Sequence, residues 1–223
     1  MKGKEERTKM KKRLLGHYDY TVILTYCGML FAFCGILRAV SQNYWEAVFC
    51  LMSAGFCDMF DGAVASTKAD RTADGKRFGI QIDSLSDLVS FGVLPGVFVY
   101  MITGKNAAVG LICALFVLCA LIRLAYFNVL EEKRQEQTDR RCRSFLGVPV
   151  TTSAILLPFF YLLHHFRICR TSICFPILLI LMGIGYLTPV EIKKPGFLAK
   201  AGILIVGFFE AVGLFFLMGA EPL

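Results

Sequence analysis

Two short segments hold the residues best equipped for chemistry. Cys57-Asp58-Met59-Phe60-Asp61-Gly62-Ala63-Val64-Ala65-Ser66 closes one apolar run, and Phe78-Gly79-Ile80-Gln81-Ile82-Asp83-Ser84-Leu85-Ser86-Asp87 opens the next. Asp58 and Asp61 are three residues apart, and Asp83 and Asp87 four, so on helices each pair shares one face about one turn apart. Both pairs can point into a single site. Carboxylates this close repel, and no equally obvious set of buried lysines opposes them, so the economical neutraliser is a divalent cation held through oxygen. All-carboxylate ligation favours Mg²⁺ or Mn²⁺ over zinc. A helix N-cap would account for Asp83 alone. It does not account for Asp58 and Asp61, which fall at the C-terminal end of their run, where the helix dipole opposes negative charge. Gly62, followed by Ala63 and Ala65, leaves the backbone clear for a flat or phosphorylated ligand.

The elements that must present these acids are membrane helices. Of the 223 residues, 56% are hydrophobic, and they gather into runs of the roughly 20 residues that a bilayer-crossing helix needs. Spans are predicted near 20–40, 43–63, 82–103, 106–130, 146–166, 172–189 and 198–219. The expected fold class is therefore all-α, a polytopic membrane bundle of seven transmembrane helices within a range of six to eight. The first run is too long for the apolar region of a signal peptide and lacks a small-residue cleavage site, so the first span is expected to stay in the protein.

The net charge of +7 would suit nucleic acid only if the basic residues striped a folded surface; they collect beside the spans instead. With the N-terminus inside, 19 Lys or Arg face the cytosol and only Arg38, Lys105, Arg167 and Arg170 lie outside, as the positive-inside rule requires. The expected partner of these clusters is an anionic lipid surface, with no nucleic acid. The first 13 residues are either an interfacial segment or a solvated tail. The nine cysteines lack the paired spacing of a zinc site and read as small apolar residues. His17, His164 and His165 form no ligand or nucleophile constellation. Glu210, in the last apolar run, is another charge in apolar surroundings with no visible link to the acids, and it could equally be paired locally.

Asp58, Asp61, Gly62, Ala65, Gly79, Asp83 and Asp87 resemble the signature of the CDP-alcohol phosphatidyltransferases: Asp-x-x-Asp-Gly-x-x-Ala-Arg, a spacer, then Gly-x-x-x-Asp-x-x-x-Asp. Ser66 stands where that signature has Arg, and the twelve residues from Thr67 to Phe78 make a longer spacer than usual. Lys68, Arg71 and Arg77 are near enough in sequence to stand in for the missing cation. Further segments look like the phosphatidylserine synthase branch: Asp83-Ser84-Leu85 through Ser90-Phe91-Gly92-Val93, then Arg123-Leu124-Ala125-Tyr126-Phe127-Asn128, then Phe145-Leu146-Gly147-Val148-Pro149. Tyr126 departs from the Arg usual there, and Leu24-Thr25-Tyr26-Cys27-Gly28 keeps part of the N-terminal pattern. The resemblance runs from about 20 to 195.

The resemblance implies attack of an alcohol on the lipid-bearing phosphorus of CDP-diacylglycerol, with release of CMP. Asp58, Asp61, Asp83 and Asp87 would hold two Mg²⁺ or Mn²⁺ ions, and Asp87 would also be the general base. Asp58, Asp61, Gly62, Ala65, Ser66 and Gly79 would bind the CDP moiety. For L-serine as acceptor, Arg123 would take the carboxylate with help from Asn128; Arg123 could equally pair with an aspartate or anchor its helix at the interface. Glycerol phosphate, inositol phosphate and choline are the alternative acceptors, but a phosphorylated one calls for several converging cations, and Arg123 alone suits serine better. A cation transporter would place its acids near the midplane of an inverted repeat, and no such repeat is visible. Similar proteins are homodimers. The expected setting is a bacterial plasma membrane with the site cytosolic, and the expected organisation is a basic segment 1–17, a transferase domain 18–195 and an additional helix 196–223.

Overall fold

The computed structural model describes residues 16, 18–68, 72–137, 144–193 and 197–218. The basic N-terminal segment and Arg71 lie outside them. The elements are α1 (Ile23–Val40), α2 (Tyr44–Ala65), α3 (Ala73–Asp87), a π-helical segment (Leu88–Val93), α4 (Leu94–Ile102), α5 (Ala107–Gln137), β1 (Ser144–Leu146), α6 (Ser153–His165), α7 (Thr171–Leu187), β2 (Glu191–Lys193) and α8 (Phe197–Met218). Because α3, the π segment and α4 run on as one rod, the described residues form seven helical rods, one for each expected span.

Among the described residues four rods are long and apolar enough to cross a membrane, Ile23–Val40, Tyr44–Ala65, Asp74–Ile102 and Ala107–Lys133, and three shorter apolar helices join them. Leu30, Leu111, Leu181 and Phe215 point outward and exposed, as lipid-facing side chains must. The molecule is a polytopic membrane helix bundle. Its one non-helical addition among the described residues is the antiparallel pair β1–β2, with Phe145 opposite Ile192, which the expectation of an all-α chain did not include.

Small residues set how closely the rods approach. Gly28, Ala32, Gly35 and Ala39 form the buried stripe of α1, and a Cβ added to Gly35 would stand 3.0 Å from the Cβ of Cys50 on α2. In a lipid solvent such backbone proximity is what holds helices together. Gly92 and Gly96 do the same against α5, where added Cβ atoms would lie 3.3 Å from Ala120 and from Val117. At the end away from the acids, Phe98 meets Tyr44 edge-on at 5.7 Å, and the Tyr44 hydroxyl donates to the Met101 carbonyl at 3.1 Å.

The rod that carries Asp83 and Asp87 begins at Ala73, well before the apolar run expected from residue 82. Thr72 caps it by accepting from the Gly75 amide at 3.1 Å, and Asp74 lies in the first turn, where the dipole favours it. Asp83 is therefore an interior residue and not a cap. Immediately after Asp87 the helix widens, and the Leu94 amide donates to Val89, five residues back. Pro95 explains this: it has no N–H to donate, and in an α-helix its ring would strike the carbonyl of Phe91.

Gly147 follows β1 with a φ of 77°, and its amide donates to Val190 at 2.8 Å. A Cβ there would come within 3.0 Å of the Tyr186 carbonyl oxygen, so only glycine fits both the backbone and the space. The Tyr186 hydroxyl in turn donates to the Val150 carbonyl at 3.0 Å. Phe145–Pro149 thus fastens the start of α6 to the end of α7.

Candidate active site

One threonine registers both acid-bearing helices. Thr25 on α1 donates its hydroxyl to Asp61 Oδ2 at 3.2 Å, while its backbone carbonyl accepts from the Ser86 hydroxyl at 3.2 Å. Held so, Asp58, Asp83 and Asp87 each bring a carboxylate oxygen within 4.8 Å of the other two. Asp61 lies close enough to Asp83, and Asp58 to Asp87, for each pair to interact electrostatically. The four acids form one cluster, and Asp61 is only 9% exposed. Acids pressed together in this way fit a hard divalent ion, whose oxygen ligands sit about 2.0–2.6 Å from the metal.

The cluster lies at the polar end of a cavity of about 1700 Å³. Gly62, Ala65, Ser66, Lys68, Lys76, Arg123, Asn128, Thr151 and Thr152 also line it. The remainder is apolar, walled by Phe31, Met52, Phe56 and Ile155 and by Ile203, Leu204, Gly207 and Phe208 of α8. A Cβ on Gly62 would meet nothing within 4 Å, so the room beside the acids is real. Gly79 is not among the lining residues, unlike the rest of the expected CDP set.

Arg123 is 9% exposed and its Nε has no hydrogen-bond partner. Burial rules out an interfacial anchor, and among the described residues no carboxylate forms an ion pair with it, although Asp87 is within electrostatic reach. Asn128 is engaged: it accepts from the Ser84 hydroxyl at 2.7 Å and donates to Gln81 Oε1 at 3.4 Å, tying α5 to α3. Tyr126 is 59% exposed and does not line the cavity, so the departure there leaves the site untouched. Glu210 is buried, and among the described residues neither carboxylate oxygen is hydrogen-bonded, so no local pairing is found for it there.

Near the mouth, Lys68 Nζ lies 2.8 Å from Asp19 Oδ2, and the Thr67 hydroxyl donates to Tyr20 at 3.3 Å. These contacts clip the segment before α1 to the loop after α2. The Lys68 hydrogen bond, helped by Thr21, holds the Asp19 carboxyl down at about 2.

A sequence profile described as CDP-alcohol phosphatidyltransferase matches residues 20–190. The chain belongs to the CDP-alcohol phosphatidyltransferase family. It is 29% identical over 203 residues to a Helicobacter pylori protein named CDP-diacylglycerol–serine O-phosphatidyltransferase, covering 87% of this chain and 81% of that one. Relatives of the same name in Bacillus subtilis and Methanocaldococcus jannaschii are each 30% identical, covering 74% and 87% of this chain and 84% and 81% of their own lengths. The chain is thus a membrane phosphatidyltransferase, and the acid cluster falls within the residues that the profile matches. The roles of Thr25, Ser84 and Gln81 escaped the sequence, because a polar residue inside an apolar run does not announce which neighbouring helix it will meet.

Proposed function

We propose that this chain transfers the phosphatidyl group of CDP-diacylglycerol to the hydroxyl of L-serine, giving phosphatidylserine and CMP. The observation that carries the reading is the convergence of Asp58, Asp83 and Asp87 within 4.8 Å at the polar end of a cavity whose other walls are apolar. A nucleotide–lipid needs such a split chamber, with an acid-lined end for the pyrophosphate and an oily remainder for the acyl chains. The relatives named for serine supply the acceptor.

Asp58, Asp61, Asp83 and Asp87 would hold Mg²⁺ or Mn²⁺, two ions in all, and the bound metal would neutralise the pyrophosphate and the departing CMP. Asp87 takes the proton from the serine hydroxyl as its oxygen forms the new bond to the lipid-bearing phosphorus. The bond from that phosphorus to the CMP oxygen breaks, and CMP leaves with its electron pair. Gly62, Ala65 and Ser66 present a low surface to the nucleotide, and Thr25 keeps the Asp61 carboxylate aimed. Arg123, buried with an unused Nε–H, receives the serine carboxylate; Asn128 positions α3 against α5 beside it.

Residues 18–195 carry the chemistry and 196–223 form an additional helical segment whose α8 walls the lipid chamber, in a protein that sits as a homodimer in a bacterial plasma membrane. The excess of Lys and Arg beside the acid-bearing helix ends supports a site on the cytosolic face.

The test is CMP release by purified protein in detergent with CDP-diacylglycerol and Mn²⁺ or Mg²⁺, offered serine, glycerol phosphate, inositol phosphate and choline separately. Release with serine alone is expected. Release with another alcohol in its place would reassign the acceptor, and none with any of them would sink the reading.

A further inference from the structure

Where the family signature has Arg, this chain has Ser66, and Ser66 is not free to replace it. Its hydroxyl donates to the Ala63 carbonyl at 2.7 Å and closes the end of α2. Lys68 lines the cavity, but its ammonium is held by Asp19 at 2.8 Å. Four aspartates make this end of the chamber strongly anionic, so a phosphate-bearing ligand needs a cation that is not already committed.

The early start of α3 provides one. Lys76, Ile80, Asp83 and Asp87 follow at intervals of four, three and four, which is one stripe of a helix, and all four line the cavity. Lys76 thus stands about 10 Å along the axis from Asp83, at the mouth, where its long side chain can reach back towards a ligand on the acids. It is exposed, and among the described residues its ammonium has no hydrogen bond or ion pair. Arg77 is one residue out of register, about 100° around the helix, and is not a lining residue. The longer spacer is what lets the helix begin far enough back to carry this lysine.

We infer that Lys76 binds the phosphate of the cytidine nucleotide and takes over the positive charge that Ser66 does not supply. The inference rests on the CDP-diacylglycerol reading and deepens it. A membrane lipid headgroup offers the same phosphate chemistry, so the experiment separates the two sources.

CMP binding is measured by calorimetry on Mn²⁺-loaded full-length protein in neutral detergent, for wild type, Lys76→Ala and Lys76→Arg, with melting temperature as the check on folding. Lys76→Ala should weaken CMP binding about tenfold, as loss of one charge-assisted contact does, and Lys76→Arg should restore most of it. Turnover should show the same rise in KM for CDP-diacylglycerol, with KM for serine unchanged. Unaltered CMP affinity in Lys76→Ala overturns the inference while leaving the transferase reading intact. So does a defect seen only in nanodiscs containing anionic lipid, which would give the lysine to a headgroup. A wild-type protein that neither binds CMP nor releases it overturns both.

Discussion

Thr25 and Asp61 face each other across the seam between α1 and α2, the threonine hydroxyl donating to the carboxylate at 3.2 Å. The bond lies at the closely packed base of the acid cluster, so it fixes where that carboxylate points. A hydrogen bond to a charged group contributes about 1.5–3 kcal/mol. Thr25→Val keeps shape and volume but loses the donor, while the backbone carbonyl that accepts from Ser86 survives. CMP release should fall roughly ten- to a hundredfold and the melting temperature by several degrees, and Thr25→Ser should recover most of both. Wild-type turnover in the valine variant would remove Thr25 from the site.

Metal should stabilise the fold through the same acids. At a hundredfold excess over Kd, a bound ion adds about 2.7 kcal/mol, several degrees in melting temperature for a chain of this size. Chelation should therefore lower the melting temperature of the wild type and abolish CMP release. Asp83→Asn removes one like charge from the cluster, so its metal-free form should melt no lower than the wild type, yet Mn²⁺ should no longer raise it. A normal Mn²⁺ shift in that variant would count against Asp83 as a ligand.

Arg123 offers a planar fork that lysine cannot copy. Arg123→Lys keeps the charge, so the serine KM should rise about ten- to a hundredfold with the KM for CDP-diacylglycerol unchanged. An unchanged serine KM would move the acceptor elsewhere.

The seven rods were legible because an apolar run long enough to cross a bilayer has few other uses. The acids were legible because their cost in such runs demands a purpose. What was hidden depends on meetings between rods. The polar first turns of α3 carry no hydropathy signal, although Thr72 with Asp74 behind it was a readable start. The widened turn after Asp87 was foreshadowed only by Pro95, and strands of three residues leave no periodicity to detect. That α8 walls the cavity could not be seen, since its lining residues look like any lipid-facing surface.

The clip between Asp19 and Lys68 should fail in acid. The Asp19 carboxyl is held at about 2 against an ordinary 3.8, so its contribution to stability is complete above about pH 4 and disappears as pH falls through 2. Asp19→Asn should melt slightly lower than the wild type at pH 5, the pair being near the surface, and the two should converge by pH 2. A gap that stays constant over that interval would show that the carboxylate charge is not what secures the clip.

The wall contributed by α8 has a consequence for the lipid. Gly207 lines the cavity together with the acids, and a Cβ placed on it would meet nothing within 4 Å. A bulky side chain there would project into the chamber without disturbing a packed neighbour, and it would occupy room that acyl chains need. The helix lies beyond residues 20–190 matched by the family profile, so it can alter lipid choice without touching the signature acids. Gly207→Trp should therefore leave turnover of a short-chain substrate such as CDP-dioctanoylglycerol near the wild-type rate. With CDP-dioleoylglycerol, kcat/KM should fall about tenfold, the loss of roughly 1.4 kcal/mol of apolar contact, or some 55 Å² at 25 cal/mol per Å². The ratio of the two rates is the decisive quantity, because misfolding lowers both together. Equal losses for short and long chains, or no loss for either, would mean that the tails run along another face of the bundle.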